Sequence, residues 1–203
     1  MSIQLPAAEF DGYIFDCDGT LANTMPIHYR AWLAAFKKYE TPFVFDEDFF
    51  YHLGGTPTPR IVEIFNEKYG THYDPHALAH GKEEIFESLM HDLTPIDEVV
   101  AFARRFKAEG KPVAVASGGM RWIVDKTLGM IGLEGFFPII VTPENVPRGK
   151  PFPDMFLLAA EQMGTAPART LVFEDAQTGI QAAIAAEMQY VVVPRPVVAP
   201  KVP

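Results

Sequence analysis

Short apolar runs along this chain alternate with segments in which apolar residues recur at helical spacing. Five runs are rich in valine, isoleucine, phenylalanine and tyrosine and are bounded by glycine, proline or charged residues, which is typical of buried strands. We therefore predict strands at residues 12–16, 112–116, 138–142, 170–174 and 190–193.

Helical patterns separate these predicted strands. Residues 97–109 carry apolar side chains at a spacing of three and four and stop at Gly110, and residues 153–163 stop in the same way at Gly164. Glycine after the last helical residue is a common helix ending. An alanine-rich helix is predicted at residues 178–186. This alternation predicts an α/β fold, a doubly wound parallel sheet of the Rossmann-like type.

A long segment between the first two strands contains no strand-like run. It has helical patterns near residues 26–39, 57–69 and 75–91, and it is too long for a simple crossover connection. We interpret residues 22–92 as an inserted α-helical cap domain, and residues 1–21 and 93–203 as the catalytic core. The proline-rich tail, residues 194–203, is expected to be an extended or mobile end.

Polar residues follow the predicted strands at their carboxyl ends, where ligands bind in an open parallel sheet. Carboxylates can hold a cation, whereas a hydroxyl, glycine amides and an ammonium group can hold an anion. The combination predicts a site for metal-bound phosphate. The residues expected to meet there are Asp16, Asp18, Ser117, Glu174 and Asp175, with Lys150 reaching in from a loop.

Composition narrows the class of partner. The 203 residues carry a formal charge of −9, which argues against nucleic acid. No apolar stretch reaches the roughly 18 residues of a membrane span, and the first residues show no secretion signal. The single cysteine, Cys17, cannot form an internal disulfide, which fits a reducing cytoplasm, and we expect it to pack away from the site. We expect a monomer acting on a small phosphorylated metabolite.

Four segments, taken in order, resemble the motifs of the haloacid dehalogenase superfamily of phosphotransferases. The segments begin at Asp16, Ser117, Lys150 and Glu174. The sequences Gly-Lys-Pro-x-Pro-Asp at 149–154 and Glu-Asp-x-x-x-Gly-Ile-x-Ala-Ala at 174–183 are similar to the branch that contains β-phosphoglucomutase and sugar-phosphate phosphatases. The resemblance covers nearly the whole chain, and the predicted helical insert matches the position of the family's cap.

The resemblance implies roles for the acidic residues. Asp16 would be the nucleophile that forms an aspartyl phosphate, and Asp18 the general acid and base. Mg²⁺ would be held by Asp16, Asp175, Glu174 and the backbone carbonyl of Asp18. As hard oxygen ligands, carboxylates suit this ion.

The other core motifs would bind the phosphoryl group. Ser117 and the amides near Gly118 and Gly119 would hold its oxygens, and Lys150 would add a fixed positive charge.

Four cap and hinge residues also match the family's pattern. Thr24 would steady Asp18, and His28 would face the substrate, although a partly buried histidine on a helix explains the same pattern. Gly55 lies in a segment similar to the substrate-specificity loop, and Arg60 begins the next helix. Arg60 could contact the substrate or simply lie at the surface. The remaining histidines are expected to face solvent: His52, His72, His76, His80 and His91.

Three positions depart from the mutase pattern. Met120 and Arg121 replace the Lys-Asn pair with which β-phosphoglucomutase holds a second phosphate, although Arg121 could partly substitute. Glu187 stands where relatives often have glycine after the alanine-rich helix. Thr20 replaces the valine of β-phosphoglucomutase.

Three functions remain open on the sequence. The leading one is a Mg²⁺-dependent phosphatase for a small sugar or polyol phosphate. The second is a β-phosphoglucomutase-like phosphotransferase, in which a second hydroxyl rather than water attacks the aspartyl phosphate. The third is a non-catalytic sensor of a phosphorylated ligand, since fold alone does not determine function.

Overall fold

The structure, a computed structural model, describes residues 3–195. Five parallel strands form one sheet in the order β3-β2-β1-β4-β5. Their bounds are β1 Gly12–Phe15, β2 Val113–Ala116, β3 Ile139–Val141, β4 Thr170–Glu174 and β5 Gln189–Val192. All five strands predicted from the sequence are present, with ends shifted by a residue or so. The part of the predicted tail from residue 196 onward lies outside the described residues.

Eight helices accompany the sheet within the described range. They are α1 Met25–Lys38, α2 Glu47–His52, α3 Thr58–Tyr69, α4 Pro75–Leu89, α5 Asp97–Ala108, α6 Arg121–Met130, α7 Asp154–Met163 and α8 Gln177–Ala185. The sequence analysis assigned neither α2 nor α6. Helix α2 has only six residues, too few for a periodic pattern, although its N-cap Asp46 accepts a hydrogen bond from the amide of Phe49 at 2.8 Å.

Alternate side chains along the strands pack into two separate hydrophobic cores, one on each face of the sheet. On one face, Tyr13 and Phe15 of β1 pack with Phe106 of α5 and Leu128 of α6. On the other, Ile14 packs among residues of α7 and α8. Because strand side chains alternate and both faces are covered by helices, the central strands β1 and β2 are apolar along their whole length. The predicted doubly wound fold is confirmed.

Cys17 belongs to the first of these cores. It is fully buried among apolar side chains, and burial raises the pKa of its thiol well above the ordinary value. The expectation that Cys17 packs away from the site is confirmed.

Helices α1 to α4 form a second body with its own core, which is mainly aromatic. Trp32, Phe36, Phe45 and Phe65 are buried there, with ring centroids 4.9–6.1 Å apart in the contacting pairs. Aromatic rings bury a large apolar area per residue, so a helical segment of modest size can hold a core of its own. This separate core supports the predicted cap, while the boundaries at residues 22 and 92 stay a prediction.

The two connections between these bodies lie side by side. The amide of Asn23 donates to the carbonyl of Thr94 at 2.9 Å, and the amide of Ile96 donates to the carbonyl of Leu21 at 2.9 Å. The helical body therefore joins the sheet domain through two neighbouring connecting segments, which are hydrogen-bonded to each other close to the end of β1. This geometry places the helices over the carboxyl edge of the sheet.

Candidate active site

The carboxyl ends of β1 and β4 bring together three carboxylates and one lysine. Oxygen atoms of Asp16, Glu174 and Asp175 lie within 4.8 Å of one another. The Lys150 ammonium donates to Asp16 Oδ1 at 2.5 Å and to Glu174 Oε1 at 2.6 Å. We call these four residues the rim cluster. It sets three acids against one cation, and such an excess of buried negative charge is removed either by protonation of the acids or by a further positive partner.

Burial governs the protonation of the rim cluster. It raises the pKa of Asp16 well above the ordinary value, because the loss of water outweighs the attraction of Lys150. Burial and the neighbouring Glu174 together raise the pKa of Asp175 to about 8. The donor set is all oxygen, which fits a hard divalent cation, and a cation bound there would reverse both shifts.

Backbone geometry at Gly19 allows Asp175 to approach the first motif. Gly19 has a φ of +82°, and a Cβ at this position would overlap the Asp175 carboxylate. The Thr20 hydroxyl donates to Asp175 Oδ1 at 3.2 Å, so the residue that departs from the mutase pattern helps to hold a candidate metal ligand. Sequence reasoning had assigned Thr20 no role.

Asp18 turns away from the rim cluster and accepts hydrogen bonds from both domains. His28 Nε2 lies 3.1 Å from Asp18 Oδ1, and the Ser117 hydroxyl donates to Oδ2 at 3.4 Å. Burial alone would raise the pKa of Asp18, but His28, Thr24 and Lys82 outweigh burial and lower it to about 2. Asp18 is therefore ionised at neutral pH in this structure.

The serine motif lies against the loop of the helical cap. The Gly119 amide donates to Ser117 Oγ at 3.0 Å. A Cβ at Gly118 would meet the backbone carbonyl of Gly55, so glycine is needed for this close approach. The Thr178 hydroxyl also donates to the carbonyl of Gly54. The cap loop is thus hydrogen-bonded to the first turn of α8 and packs closely against the serine motif.

Between the cap and the sheet lies a cavity of about 60 Å³. Its walls combine core residues with cap residues, and seven of them matter for the chemistry: Asp16, Asp18, His28, Gly55, Lys82, Glu83 and Gly118. Most predicted site residues are therefore either on this wall or directly beneath it.

Arg60, a predicted substrate-binding residue of the cap, is not part of the cavity wall. Its guanidinium donates to Glu63 at 2.8 Å and to Glu67 at 3.1 Å on the exposed side of α3. Arg121, considered as a substitute phosphate ligand, pairs instead with Asp125 at 3.0 Å, again at the surface. The five other histidines are exposed, as expected.

Two charged residues of the cavity wall were missed by sequence reasoning. Lys82 and Glu83 lie on α4 and are buried, with exposed fractions of 2% and 1%. The Lys82 ammonium donates to His28 Nδ1 at 2.6 Å and to Glu83 Oε1 at 3.0 Å, and the Thr58 hydroxyl donates to the same Oε1 at 2.8 Å. We call His28, Lys82, Glu83 and Thr58 the cap chain.

A signal for the cap chain does exist in the sequence. Helix α4 buries Leu78, Ala79 and Phe86 on one face, and Lys82 falls four residues before Phe86. A lysine within an apolar stripe is uncommon unless it is paired. However, the apolar stripe does not indicate which residue pairs with Lys82, because His28 lies on a different helix, α1.

Comparison with known proteins agrees with this site. A model of the family described as haloacid dehalogenase-like hydrolase matches residues 13–193. The chain belongs to this family, as the resemblance of its four motifs predicted.

Two relatives and one solved structure show the range of proteins that the chain resembles. Fructose-1-phosphate phosphatase YqaB of Escherichia coli is 38% identical over 90% of this chain and 95% of its own length. β-Phosphoglucomutase of Bacillus subtilis is 32% identical over 86% of this chain and 79% of its own length. The crystal structure of CbbY from Rhodobacter sphaeroides with phosphate superposes with a TM-score of 0.80 at 23% identity, covering 89% of this chain and 84% of that one, which supports the fold.

None of the helices within residues 3–195 is long and apolar enough to cross a membrane.

Proposed function

We propose that the protein is a Mg²⁺-dependent phosphatase that hydrolyses a small sugar or polyol monophosphate through an aspartyl-phosphate intermediate. The rim cluster carries this proposal, because three carboxylates and a buried lysine surround the end of β1 beside a cavity closed by the cap. Relatives include both a sugar-phosphate phosphatase and a mutase, which agrees with a phosphorylated carbohydrate as substrate.

Asp16 is the proposed nucleophile. Its carboxylate lies on the cavity wall, and Lys150 holds one of its oxygens. Attack on phosphorus forms the aspartyl phosphate and releases the sugar oxygen, so that one difficult displacement becomes two easier ones. Lys150 keeps Asp16 oriented and offsets negative charge as the phosphoryl group approaches.

Mg²⁺ would be held by Asp16, Glu174 and Asp175, with the carbonyl of Asp18 as a further oxygen ligand. Bound there, the ion would supply positive charge against the phosphoryl oxygens. The amide of Ala176 donates to Glu174 Oε2 at 2.7 Å, the Thr20 hydroxyl donates to Asp175, and Lys150 donates to Asp16, so the protein orients all three carboxylates.

Asp18 is the proposed acid and base. It protonates the departing sugar oxygen in the first step and takes a proton from water in the second. Its low pKa favours the second role. For the first, the arriving phosphate dianion raises the pKa of Asp18, since a nearby like charge disfavours ionisation.

Ser117, with the amides of Gly118 and Gly119, is proposed to hold the phosphoryl oxygens. The role of Thr24 beside Asp18 stays a prediction, because its buried hydroxyl has no hydrogen-bond partner among the described residues. Gly55 brings the cap loop against this motif. A monomeric state and a cytoplasmic location remain predictions from composition.

The mutase alternative needs a second phosphate site beneath the cap. Met120 offers no hydrogen-bond donor, and the Arg121 guanidinium is occupied by Asp125 outside the cavity. The cavity wall of the cap carries an acid, Glu83, directly beside Lys82. These observations favour water as the group that attacks the aspartyl phosphate.

Two measurements test the proposal. Turnover of p-nitrophenyl phosphate with and without Mg²⁺ separates an enzyme from a sensor, and no turnover in either condition would exclude the phosphatase. Time-resolved ³¹P NMR on fructose 1-phosphate and β-glucose 1-phosphate separates phosphatase from mutase. We expect inorganic phosphate to appear in step with substrate loss. Accumulation of glucose 6-phosphate ahead of free phosphate would establish the mutase instead.

A further inference from the structure

On the cap side of the cavity, the buried carboxylate of Glu83 has hydrogen-bond partners at only one of its two oxygens. Both donors that reach Glu83, the Thr58 hydroxyl at 2.8 Å and the Lys82 ammonium at 3.0 Å, bind the same oxygen, Oε1. The other oxygen, Oε2, is buried and has no hydrogen-bond partner among the described residues. Since a buried polar atom without a partner is unfavourable, such an atom beside a cavity points to a ligand that completes it.

Glu83 lies on the wall that faces the catalytic residues. The same cavity is lined by Asp16 and Asp18 on the core side and by Thr58, Lys82 and Glu83 on the cap side. A substrate whose phosphate lies at Asp16 would therefore extend the rest of its chain towards Glu83.

The Glu83 carboxylate distinguishes a substrate that carries a hydroxyl group at this end from one that carries a second phosphate. A carboxylate only accepts hydrogen bonds, so Oε2 suits a hydroxyl group. It does not suit a second phosphate, which offers acceptors and a like charge. Lys82 does not reverse this preference, because two of its three ammonium hydrogens are donated to Glu83 and to His28 Nδ1, and Glu83 balances its charge.

We propose that Glu83 is a specificity-determining residue whose Oε2 accepts a hydrogen bond from a sugar or polyol hydroxyl and excludes a second phosphate from the cap side of the cavity. This inference rests on the proposed phosphatase function. It explains why a fold shared with a mutase should prefer monophosphates with an uncharged, hydroxylated tail.

The substitution Glu83→Gln tests this role with little change of shape. Thr58 and Lys82 both donate to the Oε1 position, so the amide oxygen remains there and the NH₂ group takes the place of Oε2. The change removes the charge and turns the free acceptor into a donor. Glu84→Gln is the matched control, because Glu84 is the next residue, is exposed, and lies 3.6 Å from His80 at the surface.

Three substrates are compared in steady-state kinetics: fructose 1-phosphate, fructose 1,6-bisphosphate and p-nitrophenyl phosphate, which has no hydroxyl groups. In Glu83→Gln we expect the ratio of kcat/KM for fructose 1-phosphate to that for p-nitrophenyl phosphate to fall by about tenfold or more, the size of a lost hydrogen bond to a charged group. The preference for fructose 1-phosphate over the bisphosphate should fall as well. Glu84→Gln should keep both wild-type ratios.

The wild type alone provides a second test that does not depend on the folding of a variant. It should hydrolyse fructose 1-phosphate at least about tenfold more efficiently than fructose 1,6-bisphosphate, because a like charge would face Glu83. Equal efficiencies, or unchanged ratios in a folded Glu83→Gln protein, would overturn the role of Glu83 while leaving the phosphatase intact. An enzyme that hydrolyses none of the three substrates would overturn the proposed function itself.

Discussion

The rim cluster and the cap chain both bury charged side chains against the same cavity, but their charge balance differs. The rim cluster sets three acids against Lys150, whereas the cap chain sets Glu83 against Lys82, with His28 and Thr58 as further hydrogen-bond partners. An excess of negative charge calls for a cation, whereas a balanced pair does not. The core is therefore suited to metal and phosphate, and the cap to the uncharged part of a substrate.

The two regions also differ in how they are held. The three rim carboxylates lie at or just after the ends of β1 and β4, so the sheet determines their positions, and Lys150 reaches them from the loop before α7. The cap chain is assembled from three different helices, α1, α3 and α4, and its hydrogen bonds depend on how those helices pack. The same difference determines what mutations in each region should do.

The largest expected effect is the loss of catalysis in the rim cluster. Asp16→Asn should reduce turnover of p-nitrophenyl phosphate by about 10³-fold or more, because an amide cannot serve as the nucleophile. Asp11→Asn is the control, since Asp11 is exposed and pairs with Arg169 at 2.9 Å. Circular dichroism should show both variants folded. Retention of more than a few per cent of wild-type turnover in Asp16→Asn would contradict the covalent role.

Removal of divalent metal tests whether the excess negative charge of the rim cluster binds a catalytic Mg²⁺ ion. We expect EDTA to abolish turnover and Mg²⁺ to restore it. Ca²⁺ should inhibit, because its longer and looser coordination misplaces the nucleophile. Turnover that persists in metal-free buffer would show that Lys150 alone is sufficient to balance the acids.

A substitution in the cap chain should affect stability more than the same change at the surface. Lys82→Met leaves the Glu83 carboxylate buried and unpaired, which should lower the free energy of unfolding by about 3–5 kcal/mol. Lys126→Met is the matched control, because Lys126 pairs with Glu87 on an exposed surface and should cost no more than about 1 kcal/mol. Urea denaturation measures both.

A double variant sharpens this test. Lys82→Met with Glu83→Gln removes the unpaired charge, so we expect it to recover part of the stability that Lys82→Met loses. If the double variant is less stable than either single variant, the pair does not act as a balanced unit.

The smallest expected effect is at Arg60. The sequence hypothesis of substrate contact predicts that Arg60→Ala raises KM for a sugar phosphate more than for p-nitrophenyl phosphate. The ion pairs of Arg60 with Glu63 and Glu67, outside the cavity, lead us to expect little change in either KM and about 0.5 kcal/mol or less in stability. Parallel kinetics on the two substrates distinguish these outcomes.

Thr20 and Glu187 depart from the family pattern, and the structure shows a physical consequence of each departure. Thr20 replaces the valine of β-phosphoglucomutase, and its hydroxyl donates to Asp175 Oδ1. Glu187 stands where relatives often have glycine after the alanine-rich helix. Its φ of 57° confirms that the chain there adopts the left-handed conformation that glycine would accommodate more easily.

Much of the core followed from sequence alone, for a local reason. Asp16, Asp18, Ser117 and Glu174 each stand at or just after the end of an apolar run, and parallel strands place such ends at one edge. The parallel sheet, the shared site and the family could therefore be predicted from the sequence, whereas the strand order β3-β2-β1-β4-β5 came only from the structure. The roles of these residues in catalysis remain predictions.

The cap was decided by tertiary structure. His28, Thr58, Lys82 and Glu83 are separated along the chain, and no short-range pattern says which helix faces meet. Only the packing of α1, α3 and α4 around the aromatic core brings Lys82 to His28 and leaves one oxygen of Glu83 free, while turning Arg60 outward. Sequence periodicity identifies a buried helix face, but the partners of a buried charge depend on distances between helices, and those exist only in the folded protein.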